Sequence, residues 1–256
     1  MLIVISPAKR MRIEGKPIIE KYSVPQYLDY AEKLVNKIRK CNLSQLQEMM
    51  KINIKLAHEN LERFIKWNTE LNLQNSKQAI FAYTGDVFLG IDAKKFNIGE
   101  LDYAQQHLRI FSGLYGILNP LDLVQPYRLE IGLKYKYFKT DSLYSYWEET
   151  VSNHISDDLK HFKKPVLINL ASNEYFKTLN TTKLKNTEII TPDFREYKNG
   201  SYKFINVFGK RARGLMVKFI INNKIVKPEK IKLFNYEGYE YNHQLTRDNN
   251  WVFTRG

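Results

Sequence analysis

Cysteine is almost absent: Cys41 is the single one in 256 residues. One thiol cannot close an internal disulfide, so neither a disulfide framework nor a resolving thiol pair exists within one chain. Long apolar runs are also missing, none approaching the roughly 18 residues that cross a bilayer. The opening "MLIVISPAKR" places charge after a very short apolar stretch, the wrong layout for a secretory signal. A cytoplasmic protein without membrane contact is expected. His58, His107, His154, His161 and His243 have no close pairing with other ligand types, so no metal site and no cofactor is expected. The common nucleotide and hydrolase signatures are missing too: no G-x-x-x-x-G-K-[ST], no G-x-G-x-x-G, no G-x-S-x-G and no H-E-x-x-H.

Acids are outnumbered. Against 40 Lys and Arg stand 27 Asp and Glu, a formal net charge of +13, and a field of that sign draws in polyanions. A lysine-rich surface also keeps a protein in solution, so placement of the charge has to decide. Hydrophobic residues make up 43% and charged residues 26%, the balance of a folded globular chain. No repeat, linker or composition break divides it, and residues 1–256 are expected to form one domain.

"LIVIS" at 2–6 reads as a buried strand ended by Pro7, leaving Ser6, Lys9 and Arg10 at a strand end. Apolar residues at helical spacing follow Pro25 (Tyr27 to Ile38) and recur from Leu56 to Ile65. "QAIFAYTGDVF" reads as a second strand with a turn at Gly85, and residues 99–112 as a helix. "DSLYSYWEETVSNHISDDLKHF" reads as a helix with Asp141 at its N-cap, and "KPVLINLAS" as a strand covered on both faces. Asn199-Gly200 between two alternating runs predicts a hairpin. Residues 209–222 read as a helix, and the segments near 240 and 252 as edge strands. Strands alternating with helices point to a mixed α/β fold, a twisted mixed sheet surrounded by helices.

On the 209–222 helix, Lys210, Arg211, Arg213 and Lys218 spread over the face opposite Ala212, Leu215, Met216, Phe219 and Ile220. Gly214 costs such a helix about 1 kcal/mol relative to alanine, which is explicable if another backbone or a phosphate comes close. In "FSGLYGILNP", Gly113 and Gly116 can form a tight hairpin between two helices with outward N–H groups that bind phosphate, or a plain connection. Arg109 precedes this turn and Arg128 follows it. Buried arginines need partners, inside the protein or from outside, and the expectation is that both face a polyanion. Tyr127 can stack on an exposed base or belong to the core.

Ser6 and Lys9 after one strand, Asp86 after another, and Asn169, Ser172 and Glu174 after "VLI" are placed where open α/β sheets bind ligands. They suit a pocket for a small phosphate-bearing ligand or nucleotide, with Lys9 clamping the anion and Glu174 or Asp86 as acid or base; turn and cap roles compete for Asp86 and Ser172.

Long ordered motifs, "ISPAK", "YTGDVFLG", "QQHLRIFSGLYGILNPLDLVQPYRLEIG", "NLASNEYFK" and "KRARGLMVKFII", resemble the bacterial YaaA family of peroxide-stress proteins over nearly the whole chain. Arg10 and Met11 stand where that pattern has Thr or Ser and then Leu. The resemblance implies a part in surviving hydrogen peroxide by keeping unincorporated iron low, DNA binding, an unusual mixed fold with a positive cleft, and a helix-hairpin-helix element, which is expected here at Gly113–Gly116. Together these readings give a DNA-binding protein that contacts backbone and shape with little sequence preference, duplex or branched, through Lys9, Arg10, Arg109, Gly113, Gly116, Tyr127, Arg128, Lys210, Arg211 and Arg213. The alternative is an enzyme acting on a nucleotide or damaged nucleic acid at Ser6, Lys9, Asp86, Arg128 and Glu174; a protein-interaction scaffold is a third reading.

Overall fold

Three strands, Leu2–Ile5 (β1), Leu108–Ser112 (β2) and Val166–Leu170 (β4), are buried along their whole length and form the middle of one sheet. The structure is a computed structural model that describes residues 1–133 and 142–256. The remaining strands of this sheet are β3 (Gly116–Leu118), β5 (Glu188–Lys198), β6 (Ser201–Lys203), β7 (Glu240–Tyr241) and β8 (Asn250–Arg255). The eight-stranded sheet runs β7-β8-β5-β4-β1-β2-β3, with β6 paired to β5. Neighbours from β8 to β2 are parallel, while β3, β6 and β7 are antiparallel. The fold is therefore mixed α/β. Continuous burial is what parallel strands covered on both faces require.

The principal helices are α1 (Leu28–Ile38), α2 (Leu43–Met50), α3 (Ile54–Lys66), α4 (Asp86–Ile91), α5 (Ile98–His107), α6 (Leu143–Lys160) and α8 (Asn206–Asn222); the short α7 is Asn173–Phe176. Asn42 and Asn97 each close a capping box, satisfying helix-start N–H groups that would otherwise lack partners. Asn199 and Gly200 both have positive φ, 52° and 76°, as the twist of a two-residue hairpin demands.

Several sequence expectations are corrected. The helix expected over 99–112 ends at His107, and Leu108–Ser112 is a strand parallel to β1. Gly113 and Gly116 consequently lie in a buried β-hairpin between β2 and β3, and the helix-hairpin-helix expected there is not formed at those residues. A side chain at Gly113 would lie 2.0 Å from the Leu129 carbonyl oxygen, and one at Gly116 2.5 Å from the Trp147 ring. Ser112 Oγ accepts from the N–H groups of Leu114 and Tyr115, so neither is left for a phosphate.

Residues 78–88 are not one strand: Ala79–Ala82 is a helical turn, Tyr83–Thr84 pairs with Arg10–Met11, and α4 begins at Asp86. Gly85 is extended (φ −174°), so the left-handed region is not used there. β8 is an interior strand between β7 and β5. On α3, Ile65 is exposed and the buried face is Ala57, Asn60 and Phe64. Asp141 lies outside the described residues; the α6 N-cap is Ser142, which accepts from Ser145 N–H.

Gly214 is explained by another backbone. A Cβ there would meet the Val87 carbonyl oxygen at 1.9 Å, and one at Gly90 would meet the Arg211 carbonyl oxygen at 2.4 Å. Helices α4 and α8 thus cross glycine on glycine, a close approach that longer side chains would forbid.

Candidate functional site

The chain passes from β1 to β2 on one side, then returns across to β4 on the other side of β1. Loops leaving β1 and β4 therefore diverge, and in open parallel sheets that divergence leaves a crevice at the carboxyl ends of the strands. A cleft of about 770 Å³ opens there. Ser6 follows β1 and Ser172 follows β4; Ser6 Oγ donates to Ser172 Oγ at 3.1 Å and accepts from Ser172 N–H at 2.9 Å. These bonds tie the two loops together, and Ser172 also caps α7. Among the described residues neither hydroxyl is hydrogen-bonded to a base that would activate it.

Three separate segments bring five cationic side chains to this cleft: Lys9 and Arg10 from the loop after β1, Arg128, and Lys210 and Arg213 from α8. On α8 the spacing of Asn206, Lys210 and Arg213, four and then three residues, puts all three on one stripe. Asp86, Glu130 and Glu174 also line the cleft. Glu130 clamps two cations at once, with Lys9 Nζ at 2.6 Å and the Arg128 Nε and Nη2 at 3.1 and 2.9 Å. Burial pushes the Arg213 guanidinium below its usual pKa, and Asp193 partly offsets this.

The other expected contacts are elsewhere. Arg109 does not line the cleft: its side chain is 8% exposed and donates to Asp158 Oδ2 at 2.7 Å and to the Gln105 and Leu108 carbonyls. Its partner is internal. Arg211, one helical step off the Lys210 stripe, donates to Glu237 at 2.8 Å. Tyr127 reaches the cleft wall but is 4% exposed, its hydroxyl 2.6 Å from those of both Tyr83 and Ser112. Burial pushes its pKa up to about 12. A ring so enclosed cannot stack on a base.

Sequence reasoning missed Glu130 and Asn206. The first had a signal: residues two apart in an extended chain share a side, which sets Glu130 beside Arg128. Asn206 was lost because the helix was read from 209, three residues late. Among the described residues no group of three or more His, Cys, Asp or Glu side chains could hold a metal ion.

The family model described as peroxide stress protein YaaA matches residues 1–245. The chain belongs to the YaaA family. UPF0246 proteins of Colwellia psychrerythraea, Cellvibrio japonicus and Neisseria meningitidis serogroup B are 45%, 43% and 42% identical to it over 255 residues. Each alignment covers the whole of this chain and 99%, 98% and 98% of the relative. The motifs that suggested YaaA in the sequence lie around the cleft: "ISPAK" supplies Ser6 and Lys9, "YTGDVFLG" supplies Asp86, and "NLASNEYFK" supplies Ser172 and Glu174.

Proposed function

We propose that this YaaA-family chain is a DNA-binding protein of the peroxide response, which holds phosphate backbone on the cationic rim of the cleft and admits a nucleotide-sized group between β1 and β4. The observation that carries the reading is the convergence of Lys9, Arg10, Arg128, Lys210 and Arg213 from three segments on one crevice, where Glu130 pairs with Lys9 and Arg128 and leaves the charge of the others in excess. A cleft of about 770 Å³ is within the roughly 300–1,000 Å³ of small-ligand sites, too small for a duplex to enter. Duplex contact is then confined to the rim. The lowering of unincorporated iron implied by family membership is indirect in this reading.

Charge reversal tests it. Arg10 and Lys210 are exposed rim residues with no ion-pair partner among the described residues, so Arg10→Glu with Lys210→Glu should leave the fold intact. Affinity for an oligonucleotide is expected to drop about tenfold or more, and the log–log salt slope to flatten by about one for each lost phosphate contact. Fluorescence anisotropy over a salt series of duplex, junction and single-stranded DNA measures both. Unchanged affinity and slope would remove the cleft from the footprint.

A second reading is favoured by Asp86, Glu130 and Glu174. Carboxylates repel bare phosphate, whereas they can accept from a base edge or serve as general acid or base toward a nucleotide. A turnover screen over nucleotides and damaged duplexes is expected to give a product that Glu174→Gln abolishes. Absence of turnover across the screen would leave binding alone.

A further inference from the structure

Beside the cleft, residues 197–208 carry a concentration of exposed hydrophobic side chains. Tyr197, Phe204, Val207 and Phe208 are 54%, 48%, 60% and 42% exposed. Single exposed hydrophobics are ordinary on any protein, but a cluster rimmed by charge marks a contact surface. Phe204 and Phe208 are the exposed phenylalanines among the described residues. Each has a guanidinium over its ring: Arg213 lies 5.9 Å from the Phe204 centroid and Arg255 lies 5.2 Å from that of Phe208. The Phe204 ring also fills the space a side chain at Gly209 would need, where a Cβ would lie 2.3 Å from Cε2. It is thereby held against the first turn of α8. Across the hairpin Tyr197 and Tyr202 meet edge to face at 5.2 Å.

Cations interleave with these rings: Lys198, Lys203 and Lys210 are all exposed. Arg213, whose guanidinium lies over Phe204, also lines the cleft, so the aromatic surface adjoins the cleft. Rings braced from behind and spaced by lysines match what unpaired nucleotides need, a flat face for each base and a cation for each phosphate. A duplex keeps its bases stacked internally and has no use for the rings. A second copy of this chain would bring the same lysines against each other, and a chain of net charge +13 repels itself on such a face.

We propose that the β5–β6 hairpin and the start of α8 form a stacking platform for the unpaired bases of a DNA single strand whose backbone continues into the cleft. The proposal rests on the cleft being a nucleic-acid site.

The test compares a labelled oligodeoxythymidine with a duplex of equal length, bound to the full chain carrying Phe204→Ala, Phe208→Ala or both. The double variant is expected to lose about tenfold or more in single-strand affinity with an unchanged salt slope, because stacking releases no counterions, and less than about twofold for the duplex. Phe204→Trp restores a ring and should retain binding, which separates loss of stacking from loss of folding. Single-strand binding intact in the double variant, or equal losses for both oligonucleotides, overturns the platform while the cleft stands. A wild-type chain that binds neither oligonucleotide overturns the cleft reading as well. A concentration-dependent dimer abolished by the same substitutions gives the surface to a second copy and overturns the proposal.

Discussion

Gly214→Ala is expected to destabilise the protein by about 2–4 kcal/mol, although alanine is the better helix former by about 1 kcal/mol. The sign follows from distance. An added methyl at position 214 would stand 1.9 Å from the Val87 carbonyl oxygen and 2.9 Å from the Ile91 N, both backbone atoms that cannot rotate away. The reciprocal position, Gly90, is equally blocked by the Arg211 carbonyl oxygen and the Leu215 N. Helices α4 and α8 would have to part by more than an ångström, which costs packing along their whole contact. Because α4 carries Asp86 and α8 carries Lys210 and Arg213, the cleft should widen, and under the proposed DNA-binding function affinity for DNA should fall together with stability. Thermal melting and anisotropy on the same preparation measure the two effects. A variant as stable as the wild type would show that the glycine-on-glycine crossing is looser than described.

Asp158→Ala is expected to cost about 3–5 kcal/mol, because it strands a buried guanidinium. Arg109 is 8% exposed at its side chain and rests on Asp158 Oδ2, with His154 Nε2 3.3 Å from the same oxygen. The carbonyls of Gln105 and Leu108 continue to accept from Arg109 in the variant, which places the loss toward the lower end of that range. Replacing both partners, Arg109→Leu with Asp158→Leu, should recover most of the loss, since neither charge is then left desolvated. Urea denaturation of the single and double variants decides this, and a single variant within about 0.5 kcal/mol of wild type would refute the buried pairing.

The same pair shapes the acid limb. Burial raises the Asp158 carboxyl, but contacts from His154 and Arg109 outweigh it and leave its pKa below the ordinary value. A carboxylate depressed on folding stabilises fully above its unfolded value, near pH 4, and the contribution disappears as pH falls through the lower folded value. The Asp158→Ala variant should therefore differ most from wild type above pH 4 and converge with it in stronger acid.

Much of the scaffold was legible in local pattern. "LIVI" is an uninterrupted apolar run and "VLINL" is broken only by Asn169, and strands buried on both faces need such runs. Asn199-Gly200 announced its own turn because few residues tolerate two positive φ values in succession. The segment 107–132 was harder. Its residues 108–112 are apolar except for Arg109 and Ser112, and a short buried run has no period that separates helix from strand; pairing with β1 decided it. Arg109 and Arg128 looked equivalent, since each is an arginine in an apolar neighbourhood. Their fates were set by Asp158, 49 residues on, and by Glu130, two residues on, and only the second lies within local reach.

By itself the sequence determined the positive charge, the alternation of strands and helices, the family, and the residue types at the ends of β1 and β4. Tertiary structure alone decided which cations meet. Convergence of Lys9, Arg128 and Lys210 depends on strand order and on where the chain reverses across β1, and long-range pairing of that kind leaves no mark in local periodicity. The neutralisation of Arg109 and Arg211 has the same origin, because a charge is cancelled by what folding brings within a few ångströms, however distant along the chain.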